Sequence, residues 1–273
     1  MPEPPGPLPA SSRTADVPHP CPSLEGEGQQ RVTIHVYALC WNEARMLPHF
    51  FSHYDGIVDR YFVFDNGSTD RSLEILASHP AVTLGHFRFT GDSLVQAAID
   101  QHNGNWKSSR GAADWVIVCD VDEHLYHEDL RGYLARCREA GVTVIVPDGY
   151  VMISEAFPLD PEPLHRLVRR GMRMTSDDKP IVFDPGRIDD IGFAPGRHLA
   201  CPVGDVVVPA TREVKLLHYR FLGLEYVVAR YAELATGLRA RDIAMGWGHQ
   251  YLWDRARIVQ RFEEVRDHSE LVV

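Results

Sequence analysis

The 273-residue sequence predicts an α/β fold with a mainly parallel central sheet flanked by helices. Three observations carry that expectation. Between residues 32 and 146, short β-branched apolar runs alternate with helical stripes. Several of those runs end directly in acidic clusters. Hydrophobic residues make up 44% of the chain and charged residues 24%, enough apolar material for a sizeable core.

Each element has its own signal. VTIHVYAL at 32–39 reads as a buried strand. A helix follows from about Glu43, because Leu47, Phe50, Phe51 and Tyr54 share one face. RYFVF at 60–64 predicts a second strand. DNGSTD then predicts a turn in which Ser68 or Thr69 caps a helix through about Ala77. Residues 81–87 predict a third strand, and 92–102 a short helix with Leu94, Ala97 and Ala98 on one side. WVIVC at 115–119 predicts a buried strand that runs straight into DVDEH. Leu130, Tyr133, Leu134 and Cys137 mark a helix, and VTVIV at 142–146 closes the series.

Beyond residue 150 the pattern breaks. Short strands are expected at 150–153, 181–183, 205–208 and 214–217, and helices at about 222–239 and 250–266. Residues 31–273 therefore read as a single domain, with a nucleotide-type half at 31–147 and an irregular half at 148–273 that completes the site. Residues 1–30 carry eight prolines in the first 22 positions and no aromatic residue, so they are expected to form a disordered leader.

Composition excludes several classes. A net charge of −10 argues against a general nucleic-acid binder. No run of about 18 apolar residues could span a bilayer, and the N-terminus lacks the features of a secretory signal. Five cysteines without CxxC spacing fit neither a disulfide framework nor a zinc site. The expectation is a cytoplasmic protein, free or peripheral at a membrane.

Ligands of open α/β sheets bind beyond the carboxyl ends of the strands. Three polar clusters sit at such ends: Trp41-Asn42-Glu43, Asp65 to Asp70, and Asp120 to His124. In an extended backbone Asp120 and Asp122 share a face, so both can approach one divalent cation. Hard oxygen donors suit Mg²⁺ or Mn²⁺, with diphosphate oxygens completing the shell. Asp65 at a strand terminus can accept from a uracil imide or a ribose hydroxyl. His218 ends an apolar run and can supply a third metal ligand, with His198 a weaker candidate. Lys179 and Arg220 can pair with phosphate oxygens. Trp247 to Trp253 can bind an acceptor or pack as a C-terminal helix.

CWNEARMLPHFFSHYDGIVDRYFVFDNGSTDRS, followed by WVIVCDVDEHLY, resembles the family 2-like glycosyltransferases of GT-A fold. KPIVFDP, GRH and LLHYRFLGLEYVVARY extend the resemblance over about residues 32–240. It implies hexosyl transfer from a nucleotide-sugar, usually UDP-linked, with Mn²⁺ or Mg²⁺ held by the DxD motif. Residues 31–147 become the nucleotide-sugar half, and 148–273 the acceptor half with its C-terminal helices. Asn42 and Glu43 would border the nucleoside, Asp65 the base, and Asp120 the ribose or metal. Asp122 would hold the metal, with His218 as the late ligand. His124 departs from the pattern, where relatives usually carry Phe, and would alter the sugar pocket. For the general base, Glu155, Asp184 and Asp190 are the candidates.

The mechanism expected from this resemblance is inverting transfer to an acceptor hydroxyl. Saccharide, lipid, peptide and small natural product are all open as acceptors. Two rivals come from other classes. A Mg²⁺-dependent nucleotidyltransferase usually has a glycine-rich loop after the first strand, and CWNEARM has no glycine. A non-catalytic sugar-nucleotide-binding module would keep the fold without turnover.

Overall fold

The alternating apolar runs condense into a central sheet in a computed structural model of the chain, which describes residues 31–87 and 91–273. The leader expected at 1–30 and Cys21 lie outside the described residues. In chain order the elements are β1 (Ile34–Cys40), α1 (Leu47–Tyr54), β2 (Arg60–Asp65), α2 (Ser72–Ser78), β3 (Val82–His86), α3 (Leu94–Gly104) and β4 (Trp115–Asp120). Next come β5 (Glu123–Tyr126), α4 (Leu130–Glu139), β6 (Val144–Ile145), β7 (Asp148–Ser154), α5 (Leu164–Leu167) and β8 (Arg170–Arg173). The chain ends with β9 (Val182–Phe183), β10 (Ile188–Asp190), β11 (Val203–Gly204), β12 (Lys215–Leu222), α6 (Leu224–Gly237), α7 (Ala240–Ala244), α8 (Arg255–Asp267) and β13 (Glu270–Leu271).

The first sheet has the order β3-β2-β1-β4-β9-β6. β3, β2, β1 and β4 run parallel, β9 pairs antiparallel to β4, and β6 pairs antiparallel to β9 and so runs in the direction of β4. The architecture is thus α/β around a mainly parallel sheet, as expected. Strand order reverses at β1, since β2 and β4 flank it on opposite sides. A crevice opens at such a switch point.

Several expectations need correction. α1 starts at Leu47 rather than near Glu43, because Pro48 has no N–H and is tolerated only in the first turn. α2 starts at Ser72 with Arg71 as its cap residue and no capping side chain, because the Ser68 hydroxyl accepts from the Asn42 N–H and the Thr69 hydroxyl turns toward Asn42 Oδ1. VTVIV does not close a parallel series. Only Val144 and Ile145 pair, antiparallel to β9, and Pro147 follows them. The strand expected at 205–208 is absent, and Val207 instead donates to the Thr143 hydroxyl at 2.8 Å. The segment at 250–266 divides into a 3-10 turn at His249–Leu252 and α8, which Asp254 caps by accepting from the Arg257 N–H at 2.8 Å.

The division at residue 147 does not follow the sheets. β5 from the first half pairs with β12 in a second sheet ordered β13-β8-β7-β12-β5, while β9 from the second half enters the first sheet. Arg31–Val273 forms one compact unit. Its main core holds Val36, Phe50, Trp115, Ile117, Leu134 and Leu216. A smaller cluster packs Val151, Ile153 and Phe221 of the second sheet against Val227 and Tyr231 of α6 and Ile258, Phe262 and Val265 of α8. That packing fixes α6 and α8 beside the crevice. Among the described residues, no helix is long and apolar enough to cross a membrane.

Candidate functional site

β1, β2 and β4 bring their carboxyl ends into register, with Cys40 opposite Asp65 and Leu39 opposite Asp120. The three acidic clusters therefore reach one end of the sheet, but they do not all face the cavity there. That cavity, about 280 Å³, is lined by Glu43, Asn66, Asp120 and Asp122 from the first half. Lys179, His198, His218, Arg220 and Arg230 line it from the second half, and Trp41, Phe87, Tyr226 and Tyr251 form aromatic walls.

Asn42 and Asp65 are corrected from ligand groups to scaffold. Asn42 has φ 54°, a left-handed conformation that Asn tolerates. Its Oδ1 accepts from the Thr69 N–H at 2.7 Å, and its Nδ2 donates to Glu233 Oε1 at 2.7 Å. Asp65 is buried, and its carboxylate accepts from the N–H groups of Gly67 at 2.8 Å and Ser68 at 3.1 Å. Neither lines the cavity. Asn66 takes the place expected of Asp65. The rest of DNGSTD and the nearby Ser72 tie down the loop after β1. Ser68 Oγ accepts from the Asn42 N–H at 2.8 Å, Asp70 from the Ala44 N–H at 3.0 Å, and Ser72 Oγ from the Glu43 N–H at 2.7 Å.

Glu43 does face the cavity and is ion-paired with Arg230. Burial pushes its carboxyl up to about 8. Arg230 opposes that shift, while Asp122 and Asp120 add to it.

The DxD segment departs from simple strand alternation because β4 ends at Asp120 and the chain turns through Val121 and Asp122. Asp120 is gripped by Arg197, with Oδ1 at 3.1 Å from Nη1 and Oδ2 at 2.8 Å from Nη2. Glu123 is fully buried and accepts from the Asp120 N–H at 2.9 Å. It also pairs with Arg197 at 2.6 Å and with Lys179. Burial works against the Glu123 charge, but Arg197 and Lys179 outweigh it and hold the carboxyl well below the usual range. Lys179, expected on phosphate, is therefore committed to Glu123, although it borders the cavity.

Asp122 turns the other way. Its Oδ2 lies 3.3 Å from His218 Nε2, and His218 Nδ1 lies 3.0 Å from Asp177 Oδ2. The Tyr219 N–H donates to the Asp122 carbonyl at 2.8 Å, fixing the turn against β12. Burial alone would lower the His218 pKa, but Asp122 and Asp177 outweigh it and raise it to about 9. The same contacts outweigh burial at both carboxylates and keep each below the usual range. Arg220 has no hydrogen-bond or ion-pair partner among the described residues, and it borders the cavity beside His218. His198 borders it too, with Nδ1 donating to the Ser176 carbonyl at 2.6 Å.

Of the three expected metal ligands, the structure brings Asp122 and His218 together and holds Asp120 on Arg197. Among the described residues, no group of three or more His, Cys, Asp or Glu side chains is placed to enclose a metal. The donor set does fit a hard cation that takes its remaining ligands from a diphosphate. A carboxylate, an imidazole nitrogen and a second carboxylate behind the imidazole are a familiar arrangement for such a role.

The remaining candidates lie elsewhere. Glu155 is exposed after β7. Asp184 accepts from the Gly186 N–H at 2.8 Å, and Asp190 pairs with Lys107 at 3.1 Å. None of the three lines the cavity, so each is set aside as a general base. His124 is also corrected, since it is buried in the core rather than at a sugar pocket. Its ring stacks on His53 at 4.7 Å. Sequence reasoning missed Asp177, Arg197 and Arg230. For Arg197 the available signal was the GRH tripeptide, but nothing local distinguished Asp177 within SDDK.

No protein-family model matches the chain, and no curated protein matches it. Among solved structures, S. aureus TarS 1-349 is 12% identical, with a TM-score of 0.43 over 73% of this chain and 65% of that one. The same protein in complex with UDP-GlcNAc is 13% identical, with a TM-score of 0.42 over 75% of this chain and 66% of that one. A further TarS structure is 14% identical over 73% of this chain and 40% of that one, with a TM-score of 0.44. This chain spans less than two thirds of the length of each.

Proposed function

We propose that this chain is a GT-A-like, divalent-metal-dependent glycosyltransferase that moves a sugar from a UDP-sugar to an acceptor hydroxyl with inversion. The observation that carries the reading is the Asp122–His218–Asp177 line at the switch point of a parallel sheet, beside Arg220 on the cavity wall. Mn²⁺ or Mg²⁺ held by Asp122 and His218 would offset the negative charge that builds on a departing diphosphate. Asp177 orients His218 by accepting from Nδ1, so that Nε2 faces Asp122. Arg220 supplies further positive charge to the diphosphate. Asp120, positioned by Arg197, lies on the ribose side, and Glu43 and Asn66 border the nucleoside. The aromatic walls at Trp41, Phe87, Tyr226 and Tyr251 suit a base and a sugar ring.

Nucleotidyl transfer is the poorer reading. The loop after β1 offers no glycine-lined backbone to a triphosphate, and side chains of Trp41 and Glu43 fill that position. The test is nucleoside diphosphate release from a panel of UDP-, GDP- and dTDP-sugars with Mn²⁺ and then with excess chelator. The reading predicts slow release from one donor, lost with chelator and in Asp122→Ala. Metal-independent release, or full release by Asp122→Ala at limiting metal, would overturn the metal assignment. Binding without any release, with every acceptor class supplied, would favour a non-catalytic module.

A further inference from the structure

A second cavity, about 300 Å³, adjoins the first and is lined by Asp177, His198, Arg220, Trp253, Arg257 and Arg261. The two cavities share His198, Arg220, Tyr231 and Gln250. The second shares none of Glu43, Asp120 or Asp122, so it lies off the nucleoside wall. Its charge is unlike that of the rest of the molecule. In a chain of net charge −10, it brings three arginines to one carboxylate, and that carboxylate, Asp177, is already bonded to His218 at 3.0 Å.

The arginines are largely uncommitted. The Arg220 side chain makes no hydrogen bond or ion pair among the described residues, although Asp177 and Asp122 lie near enough to favour its charge. Arg257 donates to the neutral Gln260 Oε1 at 2.6 Å, lies 5.2 Å from the Trp253 ring and shares the field of Glu264 with Arg261. Arg261 keeps one ion pair, with Glu264 at 2.7 Å. α8 packs through Ile258, Phe262 and Val265, and this leaves Arg257 and Arg261, four residues apart, on the cavity side. Like charges at that spacing disfavour a helix unless something else compensates them. Three guanidinium forks around one space match the several oxygens and double charge of a phosphate group better than a monoanionic carboxylate.

We propose that this cavity binds a phosphate ester carried by the acceptor, and so directs the acceptor hydroxyl toward the donor across the wall formed by Arg220 and His198. The assignment rests on the glycosyltransferase reading and narrows its acceptor to a phosphorylated, hydroxyl-bearing molecule. Trp253 offers a flat apolar face for the remainder of that molecule.

The test is calorimetric titration of the full chain with inorganic phosphate, methyl phosphate and acetate, each with and without saturating UDP and Mg²⁺. UDP is also titrated alone. Saturable binding of both phosphates that persists with UDP present, with acetate far weaker, is the expected result. Arg257 is exposed, so Arg257→Gln leaves the fold intact. It should weaken phosphate binding about tenfold or more, and Arg257→Lys less. No saturable phosphate binding, complete displacement by UDP, acetate binding as tightly as phosphate, or an unaltered Arg257→Gln would each overturn the assignment. UDP binding without phosphate binding would remove the acceptor site and leave the donor reading standing. Phosphate binding without UDP binding would overturn the donor reading, and the acceptor assignment with it.

Discussion

The cavity at the ends of β1 and β4 and the one beside α8 meet at Arg220, yet they balance charge in opposite ways. In the first, Glu43 faces Arg230, Asp120 faces Arg197, and Asp122 faces His218. Glu123 and Lys179 are paired beneath them. In the second, Arg220 and Arg257 make no ion pair among the described residues, although Asp177 and Glu264 lie near enough to favour their charges. Internal pairing holds the first cavity's side chains in place before any ligand arrives. The second is left with positive charge that a ligand must complete. The comparison separates residues that position from residues that bind, and it can be broken at either kind.

The largest effect is expected at Asp122. Asp122→Asn should reduce metal-stimulated nucleoside diphosphate release about a thousandfold while the melting temperature stays within a few degrees. A parallel loss of fold would place Asp122 among the scaffold residues. Next is Glu123, buried between two cations. Glu123→Gln leaves Lys179 and Arg197 without their shared counter-charge and should cost about 3–5 kcal/mol in urea unfolding. An unaltered midpoint would show that the pairing does not carry the loop. Asp177→Asn should weaken Mg²⁺ affinity about 10- to 100-fold, measured in the presence of UDP, because His218 loses its orienting partner.

Stability of the metal-free protein should fall on both sides of neutrality. Burial lowers the pKa of His53 from 6.5 to about 4. It also lowers His124, with His53 adding to the shift. The unfolded chain therefore takes up protons first, so this contribution is complete above pH 6.5 and is lost as pH drops from there toward 4. His218 has the opposite sign. Its raised pKa gives stability that is complete below pH 6.5 and lost as pH rises through about 9. Melting curves across pH check both arms, and Asp177→Asn should flatten only the alkaline one.

The smallest effect is expected at His124, whose Nδ1 is buried without a partner among the described residues. His124→Phe should raise stability by about 1 kcal/mol and reduce the acid sensitivity. A lower melting temperature at pH 7 would show that the imidazole is needed where it is.

Sequence patterns made the first sheet legible because its central strands β1 and β4 are buried on both faces and read as unbroken apolar runs, while β2 and β3 toward the edge still carry short β-branched or aromatic runs. The DxD segment was legible because it interrupts such a run at Asp120. Asn42 and Asp65 were misread for a physical reason. A side-chain oxygen that accepts from a ligand has the same chemistry as one that accepts from the Thr69 or Gly67 N–H. Asp177 and Arg197 gave little signal, because their roles arise from partners 41 and 77 residues away. The second cavity was illegible for the same reason. Arg257 and Arg261 look like solvated helix charges until α8 is packed on β12 through Phe221 and Phe262.

The most direct test of the donor site is UDP affinity measured with Mg²⁺ and again with excess chelator, in the native chain and in His218→Ala. The account predicts at least about tenfold tighter binding with metal in the native chain, and loss of that gain in the variant. Equal affinity with and without metal, or a metal gain that survives His218→Ala, would contradict it.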